Sequence, residues 1–191
     1  MSLRQVIFVG VVLASGCTQE LTPPVQPMAA TQAIPSYDNE TADYSLAPTT
    51  TIRTSALEGP TPTQINGAKT LTTPGLRELM NASPSPVVID VIGGNQAVSL
   101  PGAIWLRGAG LGSDLNDAVQ SKFAARLSEL TGGDKARPVV FFCLSKTCWL
   151  SHNAVVRAVV LGYSNVYWYR GGRNAWKAAG LPMPPITPTD F

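Results

Sequence analysis

Pro138-Val139-Val140-Phe141-Phe142-Cys143 is the stretch on which the fold turns. Four consecutive apolar residues, β-branched and then aromatic, are too few for a helix and suit a strand buried on both faces. A cysteine follows where the chain must leave the sheet. The same composition recurs in Pro86-Val-Val-Ile-Asp-Val91, Ala103-Ile-Trp-Leu106 and Asn165-Val-Tyr-Trp-Tyr169, with Lys69-Thr-Leu71 as a weaker first strand. Helical spacing fills the gaps. Thr73 reads as the N-cap, with Pro74 at the first helical position, of a helix through Met80. Asp114 to Leu130 places Leu115, Val119, Phe123, Leu127 and Leu130 on one face before Gly132-Gly133, Ser151 to Leu161 ends at Gly162, and Asn174 to Ala179 ends at Gly180. Buried strands alternating with helices predict an α/β fold, an open parallel sheet with helices on both faces. In such sheets reactive groups gather beyond the carboxyl ends of the strands, where Asp90, Cys143 and the Arg170-Gly171-Gly172 turn all fall.

Outward from this core the composition changes. The chain has 191 residues and 45% apolar content, enough for one domain, expected over residues 65–183 with 184–191 as a tail. Residues 1–16 read as an export signal: Arg4, the apolar stretch Val6 to Ala14, and the small residues Ala14-Ser15-Gly16 before Cys17. Small residues directly before a cysteine resemble the signal of bacterial lipoproteins, which implies acylation of Cys17. The expected location is then the bacterial cell envelope, with a lipid anchor holding the protein to a membrane on the periplasmic side. Residues 17–64, rich in Pro and Thr, read as a disordered tether. The acids Glu20, Asp38, Glu40, Asp43 and Glu58 face only Arg53 there, whereas residues 65–183 hold twelve Lys and Arg against six Asp and Glu. A basic domain on an acidic stalk suits small anionic substrates. Nucleic acid is not an expected partner, because no basic run or interleaved aromatic stripe occurs.

A cysteine between a strand and a helix N-terminus sits among free backbone N–H groups, which favours the thiolate. On position alone Cys143 reads equally as a reactive thiolate and as a buried core residue. Cys148 shares its loop, and a disulfide requires Cα atoms within about 7 Å. His152, the one histidine, reads as a proton-transfer partner for the loop or as a solvent-facing helix residue. Cys143, Cys148 and His152 lack an outer carboxylate, so neither a metal nor another cofactor is expected. Asp90 reads as a support that holds loop N–H groups. No Arg lies between Cys143 and Arg157, which disfavours a phosphatase loop closed by a guanidinium.

Pro86-Val-Val-Ile-Asp-Val91, Leu100-Pro-Gly-Ala103, Val139-Val-Phe-Phe-Cys143, Gly162-Tyr-Ser-Asn-Val-Tyr167 and Gly171-Gly-Arg-Asn-Ala-Trp-Lys-Ala-Ala-Gly-Leu-Pro182 resemble, in order and spacing, the rhodanese homology domain. The resemblance implies the rhodanese-like sheet and a sulfurtransferase activity in which Cys143 carries sulfane sulfur as a persulfide. The loop Leu144, Ser145, Lys146 and Thr147, with Trp149 beyond it, would then hold the substrate. Ile92 stands where sulfur-transferring members usually have Arg, and Cys148 where a closing cation often falls. The sequence from Cys143 to Cys148-Trp149 and on to Tyr163 is similar to a two-cysteine rhodanese-related group associated with pyrroloquinoline-quinone-dependent alcohol catabolism.

Three functions follow as expectations. The first is an envelope rhodanese-like protein with Cys143 as persulfide carrier and Cys148 as resolving thiol, served by a small anionic sulfur donor or thiol acceptor and a periplasmic redox partner. The second is a thiol-disulfide redox module. The third is a non-catalytic accessory of quinone-dependent alcohol oxidation. Against these, Cys148 also reads as an inert thiol buried beside Trp149.

Overall fold

The computed structural model describes residues 35–189. The expected leader and Cys17 lie outside the described residues. In chain order the elements are β1 (Ala68–Leu71), α1 (Thr73–Met80), β2 (Val87–Asp90), β3 (Ile104–Leu106), α2 (Ala118–Thr131), β4 (Val139–Phe142), α3 (Trp149–Val160), β5 (Val166–Tyr169), α4 (Gly172–Ala178) and β6 (Pro188–Thr189). All neighbouring strands pair in parallel, in the order β1-β5-β4-β2-β3-β6. The expected open parallel α/β sheet is therefore present.

The two-residue period of the strands divides the core. Val139 and Phe141 of β4, with Ile89 and Trp168, pack under α2 and α3 against Phe123, Leu127, Ala154 and Val155. Val140 and Phe142, with Val88 and Tyr169, pack on the opposite face against Leu76, Ala175 and Trp176 from α1 and α4. Both β2 and β4 are buried along their full length, as unbroken apolar runs require of central parallel strands.

Local differences from the sequence reading have identifiable causes. The N-cap of α1 is Thr72, one residue earlier than expected. Thr73 turns inward instead, where its hydroxyl donates to Glu40 Oε2 at 2.8 Å. The helix α2 begins at Ala118 because Asp117 is a better cap than Asp114: Asp117 Oδ1 accepts from Gln120 N at 2.8 Å, while Asp114 closes a turn on Asn116. The stretch expected as a tail supplies β6, whose Pro188 and Thr189 align with Trp105 and Leu106. Proline is tolerated there because it opens an edge strand.

The main correction concerns residues 35–64. Expected as part of a disordered tether, they form a strap laid along the domain. Ile52 and Leu57 pack on the core under α3, and Arg53 N donates to Asn153 Oδ1 at 2.9 Å while Asn153 Nδ2 donates back to Arg53 O at 2.7 Å. Glu40 is buried, and its carboxylate accepts from both the amide and the hydroxyl of Thr73. Arg170, also buried, donates to Glu40 O, Thr61 Oγ1 and Thr61 O at 2.9–3.0 Å. Composition misled here because the strap is held by a few polar anchors and not by an apolar period.

Glu40→Ala is expected to cost about 2–3 kcal/mol, since it strands the buried amide of Thr73 and leaves the Thr73 hydroxyl only its bond with the Tyr169 hydroxyl. Glu58→Ala, at an exposed strap position, is expected to cost under about 0.5 kcal/mol. Urea unfolding of the two variants measures the difference; equal stabilities would contradict the anchoring role.

Candidate functional site

The chain leaves β4 at Phe142, and Cys143 begins a loop that ends at Cys148, the N-cap of α3. The loop is a tight turn. Cys148 N donates to Ser145 O at 3.0 Å, and Thr147 N donates to Ser145 Oγ at 3.2 Å, the local side-chain bond that serine favours in turns. This brings the Cα atoms of Cys143 and Cys148 to 6.2 Å, and the two sulfurs are joined in a disulfide. Each cysteine is 1% exposed. Both are buried in the core, as the readings of Cys143 as a core residue and Cys148 as a residue buried beside Trp149 expect, but Cys148 is bonded and is not a separate thiol.

One side of the loop is set by α4. Arg173 N donates to Cys143 O at 3.0 Å and Asn174 N to Leu144 O at 2.9 Å, so the first amides of α4 hold the loop carbonyls. Gly172, at φ +60°, makes this approach possible: a Cβ there would lie 2.4 Å from Cys143 O. Gly171 has a different reason to lack a side chain, because its Cβ would meet the Glu40 carboxylate at 2.6 Å.

The other side is covered by the strap. Gly59 N donates to Thr147 O at 2.8 Å, Trp149 N to Leu57 O at 2.9 Å, Trp149 Nε1 to Pro60 O at 3.1 Å, and Thr61 Oγ1 to Lys146 O at 2.6 Å. Glu58 and Cys148 pair as an isolated antiparallel bridge. The first amide of α3, expected to face the sulfur, is thus taken by a strap carbonyl. Lys146, the cation expected within the substrate loop, points its ammonium at Asp38, donating to the carbonyl and to Oδ2. Among the loop residues Leu144 is the exposed one.

Asp90 lies at the end of β2 and is fully buried. Its carboxylate accepts from Ile92 N at 3.0 Å, from the Ser99 hydroxyl and from Arg173 Nε at 2.7 Å, and it pairs with the Arg173 guanidinium. Burial pushes the Asp90 carboxyl above its usual range, opposed by Ser99, Arg173 and the Ile92 amide. The expected role of holding a loop N–H is met by Ile92, and the ion pair with Arg173 was not anticipated. His152 is neither solvent-facing nor hydrogen-bonded to a cysteine. It is 0% exposed, its ring 4.7 Å from that of Trp149 and 5.8 Å from that of Trp168, and its ring nitrogens have no well-formed hydrogen bond. Burial lowers its pKa to about 4, against a smaller opposing effect of the Asn153 side chain.

A family model for the rhodanese-like domain matches residues 73–179, more than half of the chain. This chain belongs to the rhodanese-like domain family. No curated protein matches it. Among solved structures it is similar to a full-length protein from Lactobacillus plantarum, with 23% identity, a TM-score of 0.44, and coverage of 58% of this chain and 82% of that one. It is also similar to a thiosulfate sulfurtransferase from Pseudomonas aeruginosa, with 22% identity and a TM-score of 0.47. That match covers 65% of this chain but only 21% of the Pseudomonas one. A third similarity is to a polysulfide-sulfur transferase homodimer from Wolinella succinogenes, at 19% identity and a TM-score of 0.44 over 65% of this chain and 80% of that one.

In this rhodanese-like domain Cys143, directly after β4, is thus tied to Cys148 and closed in by two elements. Ile92, which replaces the arginine often found after the second strand, belongs to the buried core, and its carbonyl accepts from Trp105 Nε1 at 2.8 Å. The guanidinium beside Asp90 comes instead from Arg173, out of the quoted Gly-Gly-Arg-Asn motif. The turn at Arg170 was expected at this edge, but nothing in the sequence assigned a partner to its guanidinium or a role to Arg173, Glu40 or Thr61, although a charged residue directly after a double glycine was a usable signal. No group of three His, Cys, Asp or Glu among the described residues is placed to hold a metal ion.

Because folded His152 resists protonation while the unfolded imidazole does not, stability is expected to fall as pH drops from about 6.5 to about 4, by roughly 3 kcal/mol in all. His152→Leu should remove this part of the slope. Urea unfolding midpoints of both proteins across pH 4–7 measure it; parallel pH profiles would contradict the buried neutral histidine.

Proposed function

We propose that this chain handles sulfane sulfur through a persulfide on Cys143 that Cys148 resolves. The observation that carries the reading is the Cys143–Cys148 disulfide at the carboxyl end of β4, on the residue that the motif resemblance puts at the reactive position. With the pair reduced, the Cys143 thiolate attacks the sulfane sulfur of a donor such as thiosulfate. The sulfur–sulfur bond of the donor breaks, sulfite leaves with the electron pair, and Cys143 carries the persulfide. The Cys148 thiolate then attacks the inner sulfur, hydrosulfide leaves, and the disulfide forms. A dithiol partner reduces it and is itself oxidised to a disulfide.

The absence of a guanidinium closing the loop fits this division of work. Lys146 is spent on Asp38, so the loop has no side-chain cation aimed at a retained persulfide anion, whereas a neighbouring thiol is in covalent reach. We place the protein in the cell envelope, held by an acylated Cys17, with a periplasmic dithiol as its reductant. The support is the sequence Ala14-Ser15-Gly16-Cys17 and the basic excess of residues 65–183, which suits an anionic donor. The Cys148-Trp149 pair supports a place beside quinone-dependent alcohol oxidation. The same disulfide favours a second reading, a thiol-disulfide module that exchanges electrons with a partner and never carries sulfane sulfur.

After reduction and treatment with thiosulfate or polysulfide, the Cys148→Ser variant is expected to retain the mass of one sulfur atom on Cys143. The parent chain is expected to return to the disulfide, and Cys143→Ser to gain nothing. Peptide mass spectrometry reads all three. A disulfide that reforms only with thiol oxidants, with no adduct on Cys148→Ser under any donor, would favour the second reading instead.

A further inference from the structure

Both sulfurs of the Cys143–Cys148 disulfide are shut in, each cysteine being 1% exposed. A cavity of about 460 Å³ opens beside Leu144, Arg173 and Lys177, but neither cysteine lines it. Reduction of the pair therefore requires part of the protein to move. The two coverings differ in how they are held. On the α4 side Gly172 lies against Cys143 O with no room for a side chain, and the buried Arg173–Asp90 ion pair ties the helix to β2. Lifting α4 would part that pair inside the domain, which is costly. The strap offers an easier route.

Two buried anchors fix the strap on either side of the loop. Arg53 exchanges two hydrogen bonds with the buried Asn153, and its guanidinium lies 4.8 Å from the centre of the Trp149 ring. Thr61, fully buried, receives the Arg170 side chain at both its hydroxyl and its carbonyl. Residues 54–60 span the gap between these anchors, and Thr54, Ser55, Ala56, Glu58 and Pro60 are exposed. Hydrogen bonds from Gly59 N to Thr147 O at 2.8 Å, Trp149 N to Leu57 O at 2.9 Å and Trp149 Nε1 to Pro60 O at 3.1 Å hold the span to the loop and α3. Leu57 adds its packing on the core cluster that includes both cysteines. Gly59 stands at φ +143° although a Cβ there would meet nothing, so it serves the path of the backbone and not a close approach. An exposed span with few buried contacts between firm ends is the kind of segment that opens well below the free energy of global unfolding.

We propose that residues 54–60 are a gating lid, and that the Cys143–Cys148 disulfide is reduced only from a conformer in which this span has lifted while the domain stays folded. Lifting passes the Trp149 amide and the Thr147 carbonyl to water and uncovers the Cys148 side of the disulfide. An incoming thiolate attacks one sulfur, the Cys143–Cys148 bond breaks, and its electron pair stays on the other sulfur as thiolate. The second thiolate of the reductant then displaces the mixed disulfide, so the pair gains two electrons and the reductant leaves as a disulfide. The lid sets how fast the oxidised protein returns to its dithiol form, whichever of the two readings above describes the chemistry that follows.

The test follows reduction of the oxidised full chain by excess dithiothreitol, read by acid quench, alkylation and mass spectrometry, with no sulfane donor present. Gly59→Pro removes the amide bonded to Thr147 and cannot adopt φ +143°, so it should speed reduction about tenfold or more. Leu57→Ala, which loses the lid's apolar contact, should speed it about fivefold. Glu58→Ala, at an exposed side chain, should leave the rate unchanged. In both fast variants hydrogen exchange at the Trp149 amide should accelerate by the same factor as reduction. Reduction that stays at the parent rate while this amide exchanges faster would overturn the lid. The parent alone gives a second decision, since its reduction rate should rise only shallowly with urea below the unfolding transition. A slope as steep as that of global unfolding would mean that access needs the whole domain to open, and would also overturn the lid. Neither outcome bears on the persulfide reading, which fails if reduced Cys143 takes up no sulfur.

Discussion

The backbone of Gly172 lies against the carbonyl of Cys143 so closely that a methyl group there would overlap it, and the site is assembled around this approach. Only a residue without Cβ, at φ +60°, lets the start of α4 reach the end of β4. Once it does, the amides of Arg173 and Asn174 take the carbonyls of Cys143 and Leu144. The same placement delivers the Arg173 guanidinium to Asp90 at the end of β2. One steric allowance thus fixes the backbone of Cys143, joins α4 to the end of β2 by a buried ion pair, and forms one side of the cavity beside Leu144.

The strap closes the opposite side by different means. It brings little apolar surface, yet Arg170 donates three hydrogen bonds to its backbone and to Thr61, and Glu40 takes two from Thr73. Buried polar groups of this kind specify a position because each leaves a costly vacancy if displaced. Four further hydrogen bonds run between residues 57–61 and the loop or Trp149. The turn that holds Cys143 and Cys148 together is therefore framed on both sides by other segments, and the disulfide adds to an arrangement the backbone already favours.

How much of this was legible in the sequence follows from the kind of force at each place. The central strands were plain, because Val139–Phe142 and Val87–Asp90 are buried on both faces and such runs leave an unbroken apolar signature. Cys143 was legible from its position after one of them, and the spacing to Cys148 left the disulfide open until the turn at Ser145 showed how near the two lie. The strap was not legible, since Pro- and Thr-rich composition describes a chain that lacks its own core and is silent about docking on another. His152 was misjudged in exposure because α3 is buried on nearly all sides, between the sheet, the strap and α2, so a polar position on it carries no implication of solvent. Lys146 was placed correctly in the loop, but its partner, Asp38, comes from a segment 108 residues away.

The central claim is that Cys143 and Cys148 act in sequence, the first taking sulfane sulfur and the second expelling it. The most direct measurement is the stoichiometry of products when the reduced full chain meets excess thiosulfate without added reductant. The account predicts about one sulfite and one hydrosulfide per chain, with both thiols lost together as the disulfide forms. Sulfite released without hydrosulfide, while Cys148 remains titratable, would contradict it.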